Sequence, residues 1–203
     1  MGYDPERHHR QSIRLKGYDY SRSGYYFVTI CAQDRKKLFG EINDAIVRLN
    51  EAGQMVEQEW NKIPKRYDNV IVDQYIIMPN HFHGILQITP KNNVGTPPVA
   101  VLNKTNKISI PPNKIGISMT NRAATGGAPT LFEIIGAFKS ITTHHYINGV
   151  KQNNWQPFRK RLWQLKYHDR IIRDAGELDR IRKYIIKNPS NWERDKDNPE
   201  KKS

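Results

Sequence analysis

Apolar residues recur along this chain with two different periods, and the changes of period divide it into predicted strands and helices. The run GYYFVTICAQ at 24–33 is aromatic and β-branched, which is typical of a strand. From Asn43 to Pro64 the spacing is helical. The residues that carry this spacing are Leu49, Ala52, Val56, Trp60 and Ile63. The runs 70–79 and 81–88 return to a β pattern, and the short link between them predicts a hairpin.

The second half of the chain contains two sequences of the capping-box type, which mark helix starts. Thr130 with Glu133 opens one predicted helix, and the sequence DAGE at 174–177 opens another that Pro189 ends. A basic and aromatic strand is predicted between them at 161–172. The order strand, helix, strand, strand, helix, strand, helix predicts an α+β fold with an antiparallel sheet. It is the split βαββαβ arrangement of ferredoxin-like domains, followed by one further helix.

A chain of 203 residues predicts a single domain, and its composition shifts at one internal place. Between 91 and 129 there are no acidic residues and many Asn, Thr, Pro and Gly, which predicts a flexible insertion. This insertion is either a solvated loop or a flap that contacts DNA. The C-terminal tail at 194–203 is expected to be frayed.

Charge narrows the classes of partner. The 33 Lys and Arg against 20 Asp and Glu give a net charge of +13. This charge favours polyanions as binding partners, and nucleic acid is the first candidate among them. No apolar run is long enough to span a membrane, and the N-terminal MGYDPERHHRQ lacks the apolar centre of a signal peptide, so a cytoplasmic protein is expected. Cys31 is the only cysteine, which excludes an internal disulfide and a Cys-based zinc site.

Two histidines on the predicted strand 81–88 are the first candidates for chemistry. His81 and His83 are two residues apart and therefore share one face, while Phe82 points to the other, helix-covered face. The histidines should line the uncovered face, where two imidazoles suit a divalent ion, although a pair of ordinary surface histidines gives the same pattern. On the last helix Tyr184 and Asn188 are four residues apart and share a face. Asn188 could supply a third ligand, or simply end the helix.

Five short motifs, taken together, resemble one known family. YYFVTI, MPNHFHGIL, GAFKS, LWQ and IRKYIIKNP occur in this order and are similar to the single-tyrosine HUH transposases, most closely to the REP-associated tyrosine transposases of bacteria. HUH denotes two histidines separated by a bulky hydrophobic residue, as in His81, Phe82 and His83. The resemblance covers residues 10 to 193, apart from the 91–129 insertion.

The resemblance implies a ferredoxin-like nuclease that cuts and rejoins single-stranded DNA, often beside a hairpin, through a 5′-phosphotyrosine. It places metal binding on His81 and His83 and the nucleophile on Tyr184. Asn188 stands where relatives often have glutamine as a further metal ligand. Mg²⁺ or Mn²⁺ is the expected cofactor, and relatives occur as monomers and as homodimers. Tyr167 is a competing nucleophile, but it lacks a polar residue one turn later.

Basic residues near these motifs are expected to bind the DNA backbone, with an affinity that falls steeply with salt. They are Lys139, Arg159, Lys160, Arg161, Arg180, Lys183 and Lys187. Two alternative functions would also account for the basic charge and the histidine pair. A non-catalytic RNA-binding module of the same fold would need an aromatic RNA-recognition strand, which the sequence lacks. A metal phosphoesterase that uses water would need His81 and His83 but not Tyr184.

Overall fold

The computed structural model describes residues 18–90 and 129–200. In chain order the strands are β1 (Gly24–Cys31), β2 (Gly40–Asn43), β3 (Ile46–Leu49), β4 (Val70–Ile77), β5 (His81–Ile88) and β6 (His168–Ile172). The α-helices are α1 (Glu51–Asn61), α2 (Ile63–Arg66), α3 (Leu131–Gln152) and α4 (Ala175–Lys187). Within these ranges no helix is both long and apolar enough to cross a membrane.

Four strands form one antiparallel sheet in the order β4, β5, β1, β6. The first strand in sequence therefore lies between the last two, and the hairpin partner β4 forms one edge. This is the strand order of the ferredoxin-like fold, so the predicted fold class is confirmed.

One face of the sheet carries the main apolar core. Phe82 and Leu86 of β5 are buried there with Trp60 of α1 and Phe138 of α3, and the rings of Trp60 and Phe82 lie 4.4 Å apart. Gly84 lies between them, where a Cβ would stand 2.6 Å from Cζ2 of Trp60. The missing side chain at Gly84 therefore lets the indole pack directly on the strand.

The region before α1 differs from the sequence prediction. Residues after Asn43 were expected to be helical, but β2 and β3 form a small hairpin there. Its two-residue turn has positive φ at Asp44 (51°) and Ala45 (60°), which matches the twist that tight hairpins need. Helix α1 begins only after Asn50, whose side chain accepts a hydrogen bond from the backbone of Gly53.

Strand β6 is also shorter than the predicted run 161–172. The chain before it is irregular, and Lys139 of α3 donates hydrogen bonds to the carbonyls of Gln164 and Leu165 at 2.7 and 3.0 Å. These two carbonyls therefore find their partner in a side chain rather than in a neighbouring strand. The predicted capping box at Thr130 and Glu133 is present at the start of α3.

Helix α4 packs on the second face of the sheet. Leu178, Ile181 and Ile185 form a small buried cluster with Ile85 of β5 and Ile172 of β6. Asp174 caps the helix by accepting from the backbone of Glu177 at 2.7 Å, as the DAGE sequence predicts.

The chain continues from α4 into a 3₁₀ helix, Pro189–Arg194, and then into a packed segment. Residues of the tail that was expected to fray are held here: Asp197 and Asn198 are buried. Asn80 donates a hydrogen bond to the Asp197 carbonyl at 2.7 Å, and Arg35 forms an ion pair with the Asp197 carboxylate at 3.2 Å. The predicted insertion at 91–129 lies outside the described residues, apart from its last position.

Candidate active site

Strand β5 brings the two histidines together, as the alternation of side chains predicts. The Nε2 atoms of His81 and His83 are 3.1 Å apart. The face they share was expected to be uncovered, but the side chain of Trp192, from the 3₁₀ helix after α4, stacks on His81. As a result His81 is 0% and His83 2% exposed.

Hydrogen bonds fix which ring nitrogen of His81 carries the proton. The amide nitrogen of Asn80 donates to the backbone carbonyls of Arg35 and Asp197, so the amide oxygen faces His81. That oxygen lies 2.8 Å from Nδ1 of His81 and can only accept. Nδ1 of His81 is therefore protonated, and Nε2 of the neutral ring keeps a free lone pair.

His83 is held in a similar way by β1, because its Nδ1 lies 2.8 Å from the hydroxyl of Thr29. Burial lowers the pKa of both His81 and His83, and the charge of His81 adds to this effect on His83. Both rings are thus neutral at neutral pH. Two neutral imidazoles with facing Nε2 atoms are suitable ligands for a divalent cation.

Asp195 completes a cluster that the sequence reading missed. Its carboxylate oxygen Oδ2 lies 3.8 Å from Nε2 of His81, and the ligand atoms of His81, His83 and Asp195 are all within 4.8 Å of one another. The only local signal is the alternation of basic and acidic residues at 194–197, which includes Asp195 and Asp197. Because that tail was expected to be frayed, neither residue was considered as a ligand.

Asn188, the predicted third ligand, lies at the same place. Its side chain is buried, and its oxygen Oδ1 has no hydrogen-bond partner among the described residues. The amide raises the pKa of His81 and lowers that of Tyr184, so it lies beside both groups. A buried oxygen without a donor costs free energy, which a bound cation would offset.

These residues fit a divalent cation. They offer two imidazole nitrogens from His81 and His83, a carboxylate from Asp195 and an amide oxygen from Asn188. Two neighbouring ligands of an octahedral ion with bonds of about 2.1 Å stand about 3 Å apart. The separation of 3.1 Å between the two Nε2 atoms agrees with that value. The cluster could therefore hold a metal ion with mixed N/O ligands.

Tyr184 of α4 reaches this cluster within the same chain. Its hydroxyl lies 3.4 Å from Nε2 of His83, and the side chain is 44% exposed, so the phenol is both next to the histidines and accessible. Burial raises its pKa, and the carboxylates of Asp195 and Asp197 raise it further. The competing residue Tyr167 packs against the main core instead.

An ion pair anchors α4 to the sheet. Arg182 donates two hydrogen bonds to Asp73 of β4, one of them 2.9 Å long from Nε, in a bidentate arrangement. Asp73 lies at an irregularity of β4 between Val72 and Tyr75, where the register with β5 shifts. The irregularity thus provides a carboxylate that holds α4, and with it Tyr184, over the histidines.

A cavity of about 400 Å³ opens beside Tyr184. Its lining includes Phe27, His83, Tyr184 and Lys196. Of the predicted DNA-binding residues, the structure brings Arg180 into this cavity.

The other predicted DNA-binding residues lie elsewhere. Lys183 and Lys187 are exposed on α4, and residues 159–161 are exposed in the segment before β6. Lys139 is occupied by the two carbonyls described above, and burial lowers its pKa.

Comparison with known proteins gives one close relative. No family model matches the chain. A protein of Haemophilus influenzae, described as uncharacterized, is 34% identical over 193 residues, which is 95% of this chain and 95% of that protein. The chain belongs to the family of this protein.

Two solved structures are similar at lower identity. One is a REP-associated tyrosine transposase bound to a REP hairpin, with 16% identity and a TM-score of 0.47 over 89% of this chain and 74% of the other. The second is a putative transposase from Deinococcus radiodurans, with 15% identity and a TM-score of 0.40 over 86% and 95% of the two chains. Both structures have low sequence identity to this chain, and both superpose on it poorly.

Proposed function

We propose that the chain is a metal-dependent single-stranded DNA endonuclease and strand transferase, that is, an HUH tyrosine transposase. The observation that carries this proposal is the 3.4 Å distance between the Tyr184 hydroxyl and Nε2 of His83, beside the pair of facing imidazoles. Transfer of a phosphodiester to a side chain requires a nucleophile in contact with a cation site. The motif resemblance of the sequence assigns the same two groups.

In the proposed reaction Tyr184 attacks the phosphorus of a DNA phosphodiester. The bond between the phenolic oxygen and phosphorus forms while the bond from phosphorus to the 3′ oxygen breaks. The phenol loses its proton, and the departing 3′ oxygen gains one. One phosphodiester is exchanged for another, so a second 3′ end can reverse the step and join two strands without an energy source.

His81, His83, Asp195 and Asn188 would hold Mg²⁺ or Mn²⁺, which acts as a Lewis acid on the anionic phosphate oxygens when it is bound. The chain itself orients the ligands through Asn80 and Thr29. Arg182 and Asp73 hold the helix that carries Tyr184. Because all these groups come from one chain, the proposed mechanism needs no exchange of helices between two copies.

The substrate would be single-stranded DNA, at sites associated with hairpins as the motif resemblance implies. Arg180 in the cavity and the exposed cations of α4 and of residues 159–161 would contact phosphates. An RNA-recognition domain stacks bases on an open sheet face. Here α4 packs on that face, which argues against the RNA-binding alternative.

The test is to incubate the protein with labelled single-stranded hairpin DNA and Mn²⁺ and to detect a DNA adduct that survives denaturation. The wild type and Tyr167→Phe should form the adduct, and peptide mapping should place it on Tyr184. Tyr184→Phe should bind the DNA but form no adduct. Full cleavage by Tyr184→Phe would support a water-using phosphoesterase instead.

A further inference from the structure

The segment Asp195–Lys196–Asp197 lies beside His81 and is fixed at both ends. Asp195 approaches His81, while Asp197 pairs with Arg35. The backbone between them is also held, because Arg35 donates a hydrogen bond to the Lys196 carbonyl at 2.9 Å. These contacts tie three consecutive residues to the N-terminal part of the chain, more than 100 positions away in sequence.

With its neighbours fixed, Lys196 extends into the cavity beside Tyr184. It lines that cavity together with Thr29, His83 and Tyr184. Lys196 is exposed, so the ammonium can contact a ligand that enters the cavity.

The chemistry of this cavity needs a cation besides a metal ion. The carboxylates of Asp195 and Asp197 raise the pKa of Tyr184 and so disfavour negative charge on its oxygen. A phosphodiester adds a further negative charge when it binds. A lysine ammonium is a compact charge that binds phosphate oxygens well, and it is most effective in a partly water-excluded site.

We propose that Lys196 is a catalytic residue that contacts a non-bridging oxygen of the scissile phosphate and stabilises the charge that develops there as Tyr184 attacks. Lys196 exchanges no proton with the substrate in this step. This inference rests on the proposed function. It also makes the C-terminal segment, rather than only the strand and helix motifs, a part of the active site.

The experiment measures single-turnover adduct formation with two DNA substrates. One has a normal phosphodiester at the cleavage position, and the other has a methylphosphonate, which lacks the anionic oxygen. On the phosphodiester Lys196→Gln should slow adduct formation about 100-fold, the scale seen when one charge-stabilising donor is removed. Lys196→Arg should recover most of the rate. On the methylphosphonate, Lys196→Gln and wild type should differ by less than about 3-fold, because the charge that Lys196 contacts is absent.

A matched control is Lys65→Gln, which makes the same change of charge at an exposed position of α2. It should leave the rate on both substrates unchanged. A second readout does not depend on cleavage: in Tyr184→Phe protein, bound DNA should protect Lys196 from an amine-acylating reagent, while Lys65 stays reactive.

Three results would overturn the assignment of Lys196. They are a wild-type rate for Lys196→Gln, an equal slowing on both substrates, and acylation of Lys196 that bound DNA leaves unchanged. The second of these would indicate a structural role for the segment. If the wild type itself forms no adduct, the proposed function fails, and this outcome is distinct from a failure confined to Lys196.

Discussion

The two faces of the sheet are built from the same strands but from different kinds of interaction. On one face Trp60, Phe82 and Phe138 pack in a large apolar core with α1 and α3. On the other, a small apolar cluster and the ion pair between Arg182 and Asp73 join α4 to the sheet, beside buried histidines. Adjacent residues of β5 thus have different roles. Phe82 stabilises the fold, and His83 belongs to the cluster that could hold a metal ion.

Two buried polar groups, Glu59 on one face and Asn188 on the other, differ in how they are paired. Glu59 of α1 is buried with its carboxylate paired to Lys62 and Arg66. Near the histidines, the buried oxygen of Asn188 has no donor among the described residues, and Nε2 of His81 lies 3.1 Å from Nε2 of His83. A fully paired group stabilises a fold, whereas groups with open lone pairs are suited to bind something else.

The largest effect on adduct formation is expected for His83→Ala. Loss of one imidazole should reduce metal-dependent adduct formation about 1000-fold, because the cation would lose a ligand beside the nucleophile. Addition of Mn²⁺ should raise the melting temperature of the wild type but not of His83→Ala. Adduct formation by the wild type that is unchanged in EDTA would contradict a metal site.

The neighbouring substitution Phe82→Ala should act on stability instead. Phe82 is 0% exposed in the main core, and truncation of such a residue costs about 3–5 kcal/mol. Urea unfolding should show this loss, while the protein that remains folded should keep an adduct rate within about 3-fold of the wild type. A large loss of rate in the folded fraction would show that the two faces are not independent.

A smaller effect is expected at the link between α4 and the sheet. Arg182→Lys keeps the charge but removes the bidentate geometry with Asp73, so Tyr184 should be less well oriented. Adduct formation should fall about 10-fold, and the free energy of unfolding by about 1 kcal/mol or less, since Arg182 is partly exposed and screened. Arg48→Lys, at an exposed position of the β2–β3 hairpin, is the matched control. Equal rates for both variants would exclude this role of Arg182.

The smallest effect is expected for the pH dependence of stability that comes from Glu59, whose carboxylate is paired on the face with the main core. Burial raises the pKa of Glu59, but hydrogen bonds from Lys62 and Arg66 outweigh this, so the net pKa lies below the ordinary 4.5. The contribution of ionised Glu59 to the stability of the fold is therefore complete above pH 4.5. It is lost as the pH falls through the lower pKa that Glu59 has in the folded protein. Glu59→Gln should make the free energy of unfolding less dependent on acid, measured by urea unfolding between neutral and acidic pH. An identical pH profile in both proteins would contradict the prediction.

Much of the fold could be predicted because its signals are local. The capping box at Thr130 and the N-cap Asp174 start α3 and α4 where expected. The alternation along β5 separates His81 and His83 from Phe82. The β2–β3 hairpin was missed because helical spacing begins at Leu49 and a turn with positive φ at Asp44 and Ala45 has no glycine to mark it.

The sequence alone is sufficient to predict the succession of strands and helices along the chain, the pairing of the two histidines on one face and the position of Tyr184 one helical turn before Asn188. These follow from backbone periods that any segment carries within itself. Only the tertiary structure decided that the histidines are buried and that Asp195 and Lys196 lie beside them. Those contacts join β5 to a segment more than 100 residues later, through hydrogen bonds from Asn80 and Arg35. Contacts of this kind depend on how the chain packs, and no periodicity of the segment itself encodes them.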